Sequence, residues 1–355
     1  MSENHISNKK PTYPISNHLT DYLRKYSREL RIPICYLDLK HHFTKVPLED
    51  KDGNLTLWET ALYSTSEMKE LNEGLTEIYS ILKSDGATHI DHLSVDRIDY
   101  CSFGNSQPFR VKIINQINDN YDYFYVKKAD ASRVYGLELE HILSPNKINY
   151  LVFNDTIIEE HIVGIPGDQF VNVNLKQEGH NEVRLAKEFV KFNERCFIRL
   201  LGDMRSYNFV VDMTPDFDQI QYRIRAIDFD QQSFEGRKNI YFPQYYKENK
   251  PYVELAMKHM SPETVEQYKL EERALMAKRL RLAKYQVKEL MHAMTHDELS
   301  LPEHINRLKM DLYNYYGAKE FLKCQNMGEV VQVCLVTTDG GGIVIRKKRR
   351  LLQKW

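Results

Sequence analysis

The stretch Leu200-Leu201-Gly202-Asp203-Met204-Arg205-Ser206-Tyr207-Asn208-Phe209-Val210-Val211 decides the reading, together with Ala226-Ile227-Asp228-Phe229-Asp230, in which Asp228 follows Asn208 by twenty residues. Asp203 and Asn208 are spaced Asp-x-x-x-x-Asn. The first segment is a loop running into an apolar strand, and the second is an apolar strand ending in Asp. A hairpin of that kind holds three oxygen-bearing side chains, Asp203, Asn208 and Asp228, around one point. Phosphoryl transfer needs such a set. One carboxylate orients the attacking hydroxyl, while an amide oxygen and a second carboxylate hold Mg²⁺ against the phosphates. Beyond this the protein supplies placement and fixed charge.

Upstream of this segment the texture is β. Val95 to Cys101, Phe109 to Gln116 and Asp122 to Lys128 read as strands, joined through Phe103-Gly104-Asn105-Ser106 and Asn118-Asp119-Asn120. Ala131 to Leu143 reads as a helix closed by Ser144-Pro145-Asn146. The runs Ile148 to Phe153 and Thr156 to Val163 follow, then the turn Gly164-Ile165-Pro166-Gly167-Asp168. Asn181 to Leu200 is helical, and Phe209 to Asp212 and Arg223 to Ile227 are short strands. From Pro251 to Leu322 the chain is mostly helical. One long helix starts at Pro262-Glu263 and carries Leu270, Leu275, Leu280, Tyr285 and Leu290; another starts at Leu301-Pro302-Glu303.

Toward the N-terminus, residues 1–16 are polar and expected to fray. Leu19, Tyr22, Leu23, Tyr26 and Leu30 repeat at helical spacing, Ile32 to Leu39 reads as a short strand, and Thr65 to Leu82 as a helix broken at Asp85-Gly86. At the other end the pattern predicts a strand over Val330 to Val336, a turn at Asp339-Gly340-Gly341-Gly342 and a basic run from Arg346 to Arg350.

Gly202-Asp203 to Asn208 followed by Ile227-Asp228-Phe229 resembles the protein-kinase-like superfamily, and within it the small-molecule and lipid-kinase-like branch that includes aminoglycoside-phosphotransferase-type enzymes. The resemblance covers roughly residues 120–235 and implies an α+β, bilobal protein-kinase-like fold, with an antiparallel-sheet small lobe and a mainly helical large lobe. It makes Asp203 the catalytic aspartate and Asn208 and Asp228 the Mg²⁺ ligands. Two positions depart from the pattern: Leu201 stands where that branch usually has His, and Asp230 stands where Gly would follow Phe229.

The resemblance further requires a lysine on the third strand and a glutamate on the next helix. The strand ends Tyr125-Val126-Lys127-Lys128, and the helix carries Glu138 and Glu140. Lys128 is favoured over Lys127, because a small apolar residue two before the lysine suits an adenine pocket, and Glu138 is favoured over Glu140. The segment from Ile157 to Gly164 falls at the hinge, so the backbone of Glu160 to Ile162 would face adenine. The loop at Phe103 to Gln107 has one glycine, and its backbone with Ser106 would reach phosphate.

Composition supports a folded chain and excludes other classes. The 355 residues are 42% hydrophobic and 28% charged, and 49 Lys+Arg against 50 Asp+Glu give a formal net charge of −1. That balance argues against a chain-wide basic footprint for nucleic acid. Five scattered cysteines with no C-x-x-C pair fit neither a disulfide framework nor a zinc ribbon. No run reaches the length of a membrane span, and no apolar leader is visible, so a cytoplasmic location is expected. No Gly-x-x-x-x-Gly-Lys or Gly-x-Ser-x-Gly occurs. His292 and His296, at i and i+4, lack the accompanying glutamate of a metalloprotease helix.

The organisation expected is an N-terminal extension over 1–92, mostly helical, a small lobe over 93–163, a large lobe over 164–325 and a C-terminal hairpin with basic tail over 326–355. The function expected is ATP- and Mg²⁺-dependent phosphoryl transfer to a hydroxyl of a small molecule or protein. The alternatives are adenylyl transfer to a protein and a nucleotide-binding pseudokinase that serves as an interaction module.

Overall fold

In the computed structural model, which describes residues 10–50, 52–83, 92–103, 106–176, 180–217 and 219–339, the chain divides into two compact units. One holds the chain up to Ala131 together with Ile148–His161. The other holds Ser132–Lys147 and the chain from Ile162 onward.

The first unit is built on a seven-stranded antiparallel sheet. Its elements are α1 (Asn17–Lys25), β1 (Thr44–Glu49), β2 (Leu55–Leu62), α2 (Thr65–Lys83), β3 (Leu93–Tyr100), β4 (Phe109–Asn115) and β5 (Tyr121–Lys128), and then, after α3 (Ala131–Leu143), β6 (Tyr150–Phe153) and β7 (Thr156–Glu160). The strand order is β1-β2-β3-β4-β5-β7-β6. Alternation along β4 turns Phe109, Val111 and Ile113 to one face, where Phe124 and Val126 of β5 join them. Leu71, Leu75 and Ile78 of α2 share that core, which uses the helical period read from the sequence.

The N-terminal part differs from expectation in several places. Besides its helices the extension carries β1 and β2, which lengthen the sheet and belong to the same unit as β3 to β7. Ile32 to Leu39 forms no strand; Asp38 accepts from the Cys35 N–H at 2.7 Å, a local bond that turns the backbone instead. Residues 10–16 do not fray, since Lys10 pairs with Asp130 at 2.9 Å and the Tyr13 N–H donates to the same carboxylate at 3.0 Å.

The second unit is mainly helical. It contains α3, the short strand β8 (Ile165–Pro166), α4 (Gly167–Asn172), α5 (Glu182–Arg199), the hairpin β9 (Phe209–Asp216) and β10 (Gln219–Ala226), α6 (Lys250–His259), α7 (Pro262–Leu282), α8 (Lys284–Met294), α9 (Pro302–Tyr316) and α10 (Met327–Asp339). α5 is the central element, with Phe189, Phe192, Cys196 and Phe197 buried, and it packs against α6, α7 and α10. The α+β class and the division into an antiparallel-sheet part and a mainly helical part stand as expected. The boundary drawn before residue 164 is crossed by α3, which groups with the helical unit.

Two helical expectations change. The long helix from Pro262 breaks at Ala283 into α7 and α8. Val330 to Val336 lies in α10, not in a strand. Its start is capped reciprocally: Asn326 Oδ1 accepts from the Glu329 N–H at 2.9 Å, and the Glu329 carboxylate accepts from the Gln325 N–H at 2.6 Å. Gly328 allows the close approach, because a Cβ there would lie 2.3 Å from the Met294 carbonyl oxygen. The turn at Gly340 to Gly342, the basic run and the break at Asp85-Gly86 lie outside the described residues. Among the described residues no helix is long and apolar enough to cross a membrane.

Candidate functional site

The loop carrying Asp203 starts where α5 ends. Leu200 takes the left-handed conformation at φ 54° and turns the chain off the helix axis. Gly202 then passes the backbone of Gln231, where a Cβ would lie 3.2 Å from the Gln231 oxygen. Residues 200–202 and 231–233 are laced together. The Gly202 N–H donates to the Gln231 carbonyl at 3.2 Å, the Ser233 N–H to the Leu200 carbonyl at 2.8 Å, and the Gln232 amide to the Arg199 carbonyl at 2.5 Å. The Asp203 N–H donates to the Tyr246 hydroxyl at 3.0 Å, and that hydroxyl donates to the Ile240 carbonyl at 2.8 Å. Leu201 is fully buried. Tyr246 and Gln232 thus brace a loop that lacks the histidine.

The hairpin sets the other two residues. Phe209 of β9 pairs with Ala226 of β10, and just beyond that pair the Ile227 N–H donates to the Asn208 carbonyl at 3.0 Å. Asn208 and Asp228 therefore stand at the same open end of the hairpin. The Asn208 amide nitrogen donates to the Asp203 backbone carbonyl at 2.7 Å and lies 3.4 Å from Asp203 Oδ2. Asp203 itself has φ 56°, a strained conformation for a residue with a Cβ. Burial pushes the Asp203 carboxyl above its usual range; Arg205, 2.8 Å from Oδ1, opposes this, and the charges of Asp228 and Glu248 reinforce it.

The donor set fits Mg²⁺. With its nitrogen pinned to the Asp203 carbonyl, Asn208 has its amide oxygen turned the other way. Asp228 accepts from the Asp230 N–H through Oδ1 at 3.1 Å, which leaves Oδ2 as a second hard oxygen donor. Among the described residues no cluster of three or more His, Cys, Asp or Glu side chains is arranged for a metal. An ion at this place would rest on one amide and one or two carboxylates, with phosphate oxygens completing its shell.

The strand lysines separate clearly. Lys127 is 7% exposed, and its Nζ lies 2.6 Å from Glu159 Oε2. Lys128 is exposed at the strand end and shares a strand face with Val126, which is buried in the core against α2. Lys127 is thus paired within the sheet, and Val126, the apolar residue two before Lys128, belongs to the core. On α3, Glu140 is fully buried and paired with Arg199 of α5. Glu138, also buried, accepts from Gln286 at 3.4 Å. Both glutamates are thus engaged within the helical unit.

The Glu160 N–H donates to the Asn149 carbonyl at 3.0 Å, and its carboxylate accepts from the Asn149 N–H at 2.8 Å. The His161 N–H donates to the Tyr123 carbonyl at 3.3 Å. These two N–H groups therefore serve the sheet, while Ile162 is buried at the start of the next unit's segment. Ser106 sits in the β3–β4 connection, whose Gly104 and Asn105 lie outside the described residues.

Sequence reasoning missed the charged residues that surround the trio. Arg205 bridges Asp203 and Glu248, at 2.8 Å from each. Arg133, in the first turn of α3, pairs with Asp230 and lies 3.8 Å from Asp228. Only Arg205 carried a usable signal, by standing two residues after Asp203. A groove of about 680 Å³ in the helical unit is lined by Phe189, Val253, Met257, Met260 and Val265 among others; none of the trio lines it.

No family model and no curated protein matches the sequence. Among solved structures, one described as titin kinase and its flanking domains aligns at 12% identity and a TM-score of 0.26, over 68% of this chain and 54% of that one. The Neurospora crassa PAN3 pseudokinase aligns at 8% identity and a TM-score of 0.18, over 76% of this chain and 68% of that one. The chain spans about half the length of the titin kinase structure. Likenesses at these scores carry no argument here, and the reading of the site rests on its own geometry.

Proposed function

We propose that the chain is an ATP- and Mg²⁺-dependent phosphotransferase acting on a hydroxyl group of a small molecule or protein. The observation that carries this reading is the hairpin end at which Asn208 and Asp228 stand together while Asn208 holds Asp203. Asp203 orients the acceptor hydroxyl and takes its proton as the acceptor oxygen bonds to the γ-phosphorus and the bond to the β–γ bridging oxygen breaks. Its burial favours proton uptake. Asn208 Oδ1 and Asp228 hold the metal, and Arg205, already beside Asp203, offsets negative charge where the phosphoryl group passes. Mg²⁺ supplies charge neutralisation of the phosphate oxygens when bound. On this reading the lysine that meets phosphate is Lys127.

The test is label transfer from ATP to candidate acceptors, with Asp203→Asn as the control. Transfer of γ-label by the native chain and its loss in the variant supports the reading. Transfer of α-label in its place would establish adenylyl transfer. Nucleotide binding with no transfer of either label would make the protein a binding module.

A further inference from the structure

Residues 246–249 meet the Asp203 loop residue by residue. The Tyr246 hydroxyl accepts from the Asp203 N–H at 3.0 Å, the Asn249 amide donates to the Met204 carbonyl at 2.8 Å, and Glu248 Oε1 accepts from Arg205 Nη1 at 2.8 Å. Two of these contacts satisfy backbone groups and tie the loop to its surroundings. Asn249 is fully buried and also donates to the Pro243 carbonyl at 2.7 Å, and Tyr246 donates to the Ile240 carbonyl. The Glu248 contact is of another kind. Its side chain is 34% exposed and that of Arg205 37%, and an ion pair so open to water adds little to stability. What it does is fix a direction. Arg205 Nε donates to Asp203 Oδ1 at 2.8 Å, Glu248 takes Nη1, and the guanidinium stands 5.1 Å from the Tyr246 ring centroid. A planar group held through two of its three nitrogens keeps one orientation. Among the described residues no hydrogen bond takes up the third nitrogen, Nη2.

We propose that Glu248 is a positioning residue for phosphoryl transfer, holding the Arg205 guanidinium against Asp203 so that Nη2 meets the oxygens of the phosphoryl group as it passes. The inference rests on the reading of Asp203 as the residue that orients the acceptor, and it adds what aims the neighbouring cation. Asp203 by itself holds only Nε, and a guanidinium anchored at one nitrogen swings on its long side chain. Glu248 supplies the second anchor from a distant part of the chain. Aim matters, because a donor lowers the barrier only where it already points at developing charge. The arrangement also calls for arginine at this position. An ammonium on a lysine stem is a point charge with no plane to fix. Glu248 acts through Arg205 and touches neither nucleotide nor acceptor.

The experiment uses the full chain with Mg²⁺ and γ-labelled ATP, with water as the acceptor probed, and records kcat, KM for ATP and the melting temperature of each variant. Glu248→Ala lowers kcat about tenfold and leaves KM within about twofold of native. Its ligand-free melting temperature stays within about 2 °C of native, as for any open ion pair. Glu248→Gln keeps an oxygen for Nη1 and recovers about a third or more of the native rate. In an Arg205→Lys background Glu248→Ala costs less than about twofold, because no guanidinium is left to aim. The proposal is overturned if Glu248→Ala keeps kcat within about twofold of native, or if its loss is as large in the Arg205→Lys background. It is overturned also if both Glu248 variants lose rate in step with a fall of more than about 5 °C in melting temperature. The nitrogen-15 resonance of the Arg205 Nε–H, assigned by its absence in Arg205→Lys, reports the aim without turnover. Glu248→Ala speeds exchange of that proton with water about tenfold or more, and unchanged exchange overturns the proposal. A native chain that releases no more label than Asp203→Asn ends the phosphotransferase reading itself, and the positioning role falls with it.

Discussion

Asn208 donates its side-chain amide to the backbone carbonyl of Asp203 at 2.7 Å, so one side chain both pins the loop and aims an oxygen donor. The two roles use opposite ends of the amide, and Asn208→Asp separates them. The variant keeps an oxygen donor but loses the N–H, and it sets a carboxylate against the Asp203 carbonyl and carboxylate. The expected outcome is a loss of about 1–2 kcal/mol in urea unfolding together with at least tenfold slower phosphoryl transfer. If metal ligation were the only role, Asp would serve and both measurements would stay near native.

Asp203 gives a prediction with a sign that depends on pH. Its folded pKa lies above the ordinary carboxylate range, chiefly through burial. Between the unfolded and folded values the native state holds the proton more readily, so stability falls as pH rises across that interval and the full cost persists above it. Asp203→Asn removes the charge. Its melting temperature at pH 7 should equal or exceed the native one while transfer is lost, and the advantage should fade as pH drops below about 3.9, the ordinary Asp value. A variant clearly less stable than native at pH 7 would show that the ionised carboxylate is stabilised by Arg205 beyond its burial cost.

The parts of the chain that were legible are those where period and turn chemistry agree. β3 to β5, α3 and the β9–β10 hairpin alternate or repeat cleanly and are bounded by Gly, Asn and Pro signals. β1 and β2 were hidden because they hardly alternate between core and solvent. Leu55 and Leu57 are 72% and 64% exposed, and Pro47 sits within β1. Val330 to Val336 was misread because an apolar β-branched run suits either element, although Asn326 and Glu329 carried the capping signal. At the site, the spacing of Asp203, Asn208 and Asp228 was visible from the sequence. The choice between Lys127 and Lys128 was not, because alternation separates two faces without saying which one α2 covers. Arg133 reaches Asp230 only through the packing of α3 on the Phe229 segment, which no local pattern encodes.

That lysine choice can be tested directly. Lys127→Met leaves Glu159 buried without its 2.6 Å partner, whereas Lys128→Met changes an exposed strand end. If Mg²⁺ and ATP raise the melting temperature of the native protein as proposed, Lys127→Met is expected to abolish that rise, and to lower the ligand-free melting temperature as well. Lys128→Met should match the native chain in both. To separate the loss of the pair from the loss of nucleotide, Lys127→Met with Glu159→Gln should recover ligand-free stability but not the nucleotide response.

The ion pair between Glu140 and Arg199 ties α3 to α5, and both side chains are almost fully buried. Burial acts to raise the Glu140 pKa, but Arg199, Ser144 and Arg195 together outweigh it and hold the carboxyl below its ordinary value. A depressed carboxylate contributes stability that is present above the unfolded value of about 4.3 and is lost as pH falls through the folded one. Glu140→Gln strands the Arg199 charge, and at pH 7 it should cost about 3–5 kcal/mol in urea unfolding. The deficit should narrow in acid, where the native chain also loses the charge on Glu140. The same variant should loosen the seat of Arg133 on Asp230, since the helix carrying both Glu140 and Arg133 loses one of its anchors. Hydrogen exchange of the α3 amides would register that loosening. Unchanged exchange with a deficit under about 1 kcal/mol would mean that Ser132 and the Gly136–Phe229 contact are enough to hold the helix.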